Sequence, residues 1–275
     1  MPKSAQEWSH IWHQPQLDVR LLHAFHRQHV YARHSHDYYV ICVIEQGCQS
    51  FTHQGQKLYT PPGGVILINP DEVHTGEAAD AHGFHMRSLY PTAAHMQRAV
   101  YEVSGREQPL PFFKTVRVDH AWARTTILQL HQVLRQSESA LEIESCFLWT
   151  LVHLIKQYAD LRFDEPQVGK AQPAIRQAQR IIDEGFDQGI SLTQLAEQVA
   201  LSPYYLLRAF RAEVGMPPHA YLESVRIRHA QRLIATGQPL AAVAAEVGFS
   251  SQSHLTHRFK QLIGVTPGQY AQGVL

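Results

Sequence analysis

Between Val19 and about Asp119 the apolar residues arrive in short runs, and Gly or Pro separates each run from the next. YYVICVIEQG, QSFTHQG, QKLYTPPGG, VILINP, GFHMRSLY and KTVRV are rich in Val, Ile, Tyr and Phe and read as strands. Their even spacing predicts a sandwich or small barrel. The runs around Ile41 and Ile66 are apolar at nearly every position, so both of their faces are expected to be covered. From about His120 to Phe163 the period changes. Ile127, Leu130 and Leu134 fall at i, i+3 and i+7, and Phe147, Leu151, Leu154 and Tyr158 repeat that helical stripe. The second helix is also apolar at Leu148, Val152 and Ile155, and a helix apolar on two sides needs two partners. Two readings stay open: these helices pad the barrel, or they form a dimer interface. DEPQVGKAQP, polar with two prolines and a glycine, then reads as a linker.

The remainder, from Ala174, is helical in pattern throughout and contains a repeat. LAEQVALS (Leu195 to Ser202) matches VAAEVGFS (Val243 to Ser250), 48 residues on, and FRAEVGMPPHAY (Phe210 to Tyr221) matches FKQLIGVTPGQY (Phe259 to Tyr270), 49 on. One extra residue therefore sits at the start of the second copy's last helix. Ser191 with Gln194 makes a capping-box start for SLTQLAEQV. Ser202 caps the next helix, with Pro203 in the favoured first position. Ala196 and Ala244 are small residues that let a second helix cross close by. Two helices joined by a three-residue turn, with a small residue at the crossing, make a helix-turn-helix. Two copies are too few for a stacked array, so the pattern is a duplicated module.

Composition narrows the function. A chain of 275 residues with 44% apolar content can fill two cores. Net charge is zero, but from Ala171 onward 9 Lys/Arg face 7 Asp/Glu, whereas 15 face 17 before it. Cys42, Cys48 and Cys146 form no C-x-x-C pair, which suits a reducing cytosol. The start, MPKSAQEWSHIWHQ, lacks the apolar core of a signal peptide, and CFLWTLVHLI is too short to span a bilayer. The expected location is the cytoplasm, with no membrane partner.

With the repeat in place, residues from about 173 to 271 resemble the DNA-binding domain of the AraC/XylS family of bacterial transcription regulators. GFSSQSHLTHRFKQLIGVTPGQY is similar to that family's signature nearly end to end. The resemblance implies seven helices, with two helix-turn-helix units bridged by AYLESVRIRHAQRLIATG. At 1.5 Å per residue those 18 residues span about 27 Å, which lets two recognition helices reach successive major-groove segments about 34 Å apart. Helix phase puts Leu206, Phe210, Leu255 and Phe259 in the core. Tyr204, Leu207, Arg208 and Arg211 then face outward in the first unit, and Gln252, Ser253, Thr256, His257 and Lys260 in the second. Arg208 is the leading base reader, since a guanidinium can hold guanine O6 and N7 together. Family members often carry Arg where His257 stands, which weakens that contact here.

RHSHDYYVICVIEQG and PPGGVILINPDEVH are similar to the cupin-type effector domain found ahead of this module in many family members. That likeness brings His34, His36 and His74 forward as plausible ligands for a divalent metal. Cupin enzymes place a Glu about four residues past the second His, where Val40 or Ile41 stands here. A metal-dependent cupin enzyme fused to the DNA-binding module is therefore the alternative reading. The preferred reading has no metal, no other cofactor and no catalysis. A DNA-repair methyltransferase would need a cysteine cluster that three isolated Cys do not supply.

The fold class expected is α+β. A cupin-like effector-binding and dimerisation domain occupies 1–163, with a helical dimerisation segment at about 120–163. A linker follows at 164–172 and an all-α tandem helix-turn-helix domain at 173–275. Period-two alternation puts His36, Tyr38, Val40 and Cys42 on one face. With His36 looking inward, as the resemblance implies, that face lines the barrel cavity. His36, Tyr38, Cys42 and His74 are the expected effector contacts, with Arg87 as the cation that pairs with a carboxylate. The expected partners are double-stranded DNA, an amino acid or other small carboxylate ahead of a sugar, RNA polymerase, and a second copy of the chain.

Overall fold

The computed structural model describes residues 6–161 and 171–274, so the linker expected at 164–172 falls almost wholly outside the described residues. By contact the chain divides into two units. One runs to Gln136 and resumes at Cys146; the other takes Ser137–Ser145 together with the chain beyond the linker.

The first unit is built on two antiparallel sheets. The larger joins, in spatial order, β1 (Trp8–Gln14), β2 (Val19–His26), β9 (Phe84–Tyr90), β4 (Val40–Gly47), β7 (Val65–Ile68) and β10 (Arg117–Val118). The smaller joins β3 (Tyr31–His34), β8 (His74–Ala78), β5 (Gln49–His53) and β6 (Gln56–Thr60). Leu22, Val40, Cys42, Ile44, Phe51, Ile66, Phe84 and Met86 form one buried apolar cluster. The alternate residues of β4, Ile41 and Val43, are equally buried, because α2 (Ala121–Gln136) packs against β4, β9 and β1. That second covered face is why β4 lacks a polar alternation. At the end of β4 the register slips between Ile44 and Gln46, leaving Glu45 as the extra residue of a bulge. Gly47 then takes φ 73°, and a Cβ there would lie 2.0 Å from the Gly83 carbonyl oxygen, so only glycine lets the chain pass.

The helix α1 (Ala93–Ser104) opens on a capping box from Thr92 and His95. In α3 (Ala140–Tyr158), Leu151, Val152, Leu154 and Ile155 are each no more than 1% exposed. Phe147 meets His95 of α1 edge-on at 5.3 Å, and His153 meets Trp122 of α2 at 5.8 Å. Leu151, Leu154, Val152 and Ile155 are thus covered within one chain, while Leu148 is half-buried. The dimer-interface expectation is corrected for Leu151 and Leu154 themselves: both are buried within the same polypeptide and pad the barrel.

The second unit carries seven helices among its described residues beyond the linker: α4 (Gln172–Glu184), α5 (Leu192–Gln198), α6 (Pro203–Val214), α7 (Pro218–Ala235), α8 (Leu240–Glu246), α9 (Gln252–Ile263) and α10 (Pro267–Val274). The caps are local and follow the sequence. Ser191 and Gln194 close a capping box on α5, and Ser202 caps α6 ahead of Pro203. On α9 the cap is Ser251 rather than Ser250, which absorbs the extra residue of the second copy. Ala196 and Ala244 are buried at the helix crossings. The two turns also match: Ala200 (φ 54°) and Gly248 (φ 79°) hold the same left-handed position 48 residues apart. An L-residue with a Cβ is strained there, by roughly 1–2 kcal/mol. Ala200→Gly is therefore expected to raise the stability of this unit by up to about 1 kcal/mol. Gly248→Ala should lower it by more, because its Cβ would meet the Asp187 carbonyl oxygen at 2.5 Å. Urea midpoints of the two variants, moving in opposite directions, are the check. Among the described residues, no helix is long and apolar enough to cross a membrane.

Candidate effector cavity and nucleic-acid interface

Between the two sheets lies a cavity of about 140 Å³. Val40 and Cys42 of β4 form one side, as strand alternation requires, together with His36 and Tyr38 from the segment that leads into it. From β9 come Met86, Ser88 and Tyr90, and the small sheet adds Tyr31, His34, Gln49 and His74. Sequence reading did not single out Tyr31, Gln49, Ser88 or Tyr90. For the last two a signal existed, since alternation along β9 groups Phe84, Met86, Ser88 and Tyr90 on one face. Tyr31 and Gln49 reach the cavity through sheet pairing, which leaves no local trace.

The same alternation removes Arg87. It projects from the opposite face, where its Nε donates to Glu45 at 2.9 Å and its Nη1 to His131 Nδ1 of α2 at 3.4 Å. His23 meets the same carboxylate at 3.1 Å. Glu45 shares this face with Ile41 and Val43, as alternation along β4 requires, and Val43 pairs with Arg87. Arg87 is thus corrected from effector contact to part of a network beneath α2, and among the described residues no Lys or Arg lines the cavity. Burial pushes His131 down to about 3, so this ring stays neutral beside the guanidinium.

The three histidines form a defined group. His34, His36 and His74 each offer a ring nitrogen within 4.8 Å of the others. Each directs Nδ1 at a backbone carbonyl: Ala32 at 2.8 Å, Tyr38 at 2.8 Å and Glu72 at 2.9 Å, respectively. A carbonyl can only accept, so Nδ1 carries the hydrogen and Nε2 keeps its lone pair. Burial lowers His36 below its ordinary range and takes His74 down to about 4. His36 stacks on Tyr38 with ring centroids 4.3 Å apart. Cys42, fully enclosed, is pushed up to about 12 and remains a thiol.

In the second unit α6 and α9 are the second helices of the two turns. Leu206, Phe210, Leu255 and Phe259 are fully buried. Tyr204 and Leu207 are also buried, at 3% and 2% exposed, which corrects their assignment to the DNA-facing surface. The apolar stripe of α6 is wider than an i, i+4 pair, and two large side chains at its border gain more from burial than from water. Arg211, Gln252, Ser253, His257 and Lys260 are exposed, and Arg208 and Thr256 partly so. The Arg208 guanidinium lies 5.8 Å over the Tyr204 ring, and Thr256 donates to the Gln252 carbonyl oxygen at 2.8 Å. Arg258, on the flank of α9, is not outward: it holds Glu142 and Glu223, each at 2.9 Å. Burial drives the Glu223 carboxyl up to about 7 despite that partner.

Residues 16–151 match the AraC-like ligand binding domain, and residues 195–273 match a helix-turn-helix domain. The HTH-type transcriptional regulator YbfI of Bacillus subtilis is 32% identical over 225 residues, covering 82% of this chain and 81% of its own. The chain belongs to the AraC family of transcription regulators. The arabinose operon regulatory protein of Escherichia coli is 24% identical over 244 residues, covering 86% of this chain and 80% of its own. Among solved structures, the C-terminal domain of AraT from Geobacillus stearothermophilus is 30% identical with a TM-score of 0.36, covering 38% of this chain and 88% of that one. As an AraC-family member the protein is a DNA-binding regulator with an N-terminal ligand-binding domain and a C-terminal tandem helix-turn-helix. Its family relatives are transcriptional regulators.

Proposed function

We propose that the protein couples occupancy of the barrel cavity by one small molecule to the reading of an operator by α6 and α9. The cavity itself carries the ligand half: it is apolar at Val40, Ile66, Ile68 and Met86, and polar at a few converging groups. Its volume of about 140 Å³ matches cavities that take a molecule the size of benzene, which favours a small carboxylate over a sugar. Binding shifts a population between states of the chain that differ in operator affinity. Dimerisation, expected from the sequence, needs a surface other than the Leu151/Leu154 stripe. The cytoplasm and a contact with RNA polymerase fit a regulator of transcription.

Arg208 and Gln252 act as base readers, and Lys260 as a phosphate contact. Selection of bound DNA from a random pool tests the assignment. Arg208→Ala and Gln252→Ala should each erase preference at particular base positions, at a cost of about 1–3 kcal/mol. Lys260→Ala should weaken all sequences alike and reduce the salt slope by about one. Unchanged base preference in both reader variants rules those assignments out.

A further inference from the structure

The cavity expected to hold a small carboxylate has no arginine or lysine in its lining, and Arg20, the cation stacked at 4.9 Å on Tyr38, lines an outer groove instead. Its polar groups are arranged for something else. At His34, His36 and His74 the Nδ1 hydrogens are all committed to backbone carbonyls, so three Nε2 lone pairs remain with no hydrogen to share among themselves. His36 Nε2 is buried and has no hydrogen-bond partner. The ring centroids of His74 lie 4.4 Å from His34 and 5.0 Å from His36. Backbone carbonyls that fix the tautomer and turn the second nitrogen inward are the outer shell that metal-binding histidines use. Nitrogens about 2.0–2.1 Å from a tetrahedral ion stand roughly 3.4 Å apart, which the observed limit of 4.8 Å reaches with small side-chain rotations.

We propose that His34, His36 and His74 bind one divalent first-row transition metal ion through their Nε2 atoms, and that this ion is the cavity's anion-binding group, taking a small chelating carboxylate as effector. Three imidazoles are neutral ligands, and among the described residues no Asp or Glu lines the cavity, so the ion keeps its double positive charge. Three protein ligands also leave coordination positions open. His34 is exposed and His74 buried, so the ion lies between solvent and the cavity floor. A carboxylate with a hydroxyl on the adjacent carbon fills two open positions at once, while Tyr38 and Met86 cover its carbon skeleton. The inference rests on the reading that the effector occupies the barrel.

Full-length protein, stripped with a chelator and dialysed, is titrated with Co²⁺ by calorimetry and visible absorption. One ion per chain is expected, with the d–d bands of a nitrogen-rich site. His36→Gln and His74→Gln should each weaken binding at least 100-fold with an unchanged thermal midpoint. Lactate should then bind the Co²⁺ form and perturb its spectrum, while propionate, which cannot chelate through a hydroxyl, binds at least tenfold more weakly. Absence of stoichiometric Co²⁺, Ni²⁺ and Zn²⁺ binding by the wild-type chain overturns the inference without relying on any variant. Lactate binding equally well to the metal-free chain overturns the ion's role as anion receptor, yet leaves the sensor reading intact. If a hexose binds the metal-free chain and changes operator affinity, the sensor reading stands and the carboxylate inference fails. If neither lactate nor glucose binds with or without metal, and carboxylate and sugar panels leave operator affinity unmoved, both readings fail.

Discussion

A chain carrying Leu151→Glu and Leu154→Glu is expected to lose its folded barrel domain rather than to become a well-folded monomer. Both leucines are at most 1% exposed within the single chain. Each substitution forfeits about 1.5–3 kcal/mol of apolar burial. Each also places a carboxylate at a buried position, at a cost of several kcal/mol unless the group is paired or protonated. Together these are comparable to the roughly 5–15 kcal/mol that holds a domain folded. The milder Leu151→Ala and Leu154→Ala should stay folded and lose about 2–5 kcal/mol each. Circular dichroism, urea unfolding and sedimentation on the four chains decide the matter. A double-Glu chain with native ellipticity and half the mass would restore the dimer interface and remove the padding role.

The second large effect is expected at Arg226, in the bridge helix α7. Only 8% exposed, it donates Nε to the Phe186 carbonyl oxygen at 2.7 Å and Nη2 to that of Gln188 at 3.2 Å. Its guanidinium also lies 5.8 Å over the ring of Phe249, in the turn of the second unit. One side chain therefore ties the loop that enters the first helix-turn-helix to the bridge and to the second turn. Arg226→Met keeps the apolar stem and removes both charge-assisted bonds, leaving two carbonyl oxygens unpaired at a cost of about 2–4 kcal/mol. Calorimetry should show the transition of the DNA-binding unit lowered by roughly 8–16 °C while that of the barrel stays in place. Operator binding should fail at 37 °C and return on cooling. Coincident transitions in wild type and variant would mean that the loop is held by other contacts.

What the sequence determined was mostly local. A capping box needs Ser191 and Gln194 three residues apart, and the turn of each unit needs one left-handed residue, at Ala200 and Gly248. The repeat was legible because the same few local rules had to be satisfied twice. Alternation likewise grouped His36, Tyr38, Val40 and Cys42 before any sheet was known, since a strand's period of two belongs to the backbone. Alternation names two faces, however, and does not say which is inside. Arg87 is held on the side away from the cavity by Glu45 and by His131 of α2, residues 42 positions before it and 44 after it. The apolar stripe of α3 was plain in the sequence, but whether a second chain or the same one covers it depends on packing against α1 and α2. Tyr204 and Leu207 went inward for the same reason: helix phase gives the direction of a side chain, while the width of the surface it meets is set by its neighbours. The three Nε2 lone pairs are the furthest case. Two histidines in β3 and the loop after it, and a third at the start of β8, are 38 to 40 residues apart in the chain, and only antiparallel pairing of β3 with β8 brings His34 opposite His74. Each ring is oriented locally, by a carbonyl two residues away, while the strand pairing brings the three rings together.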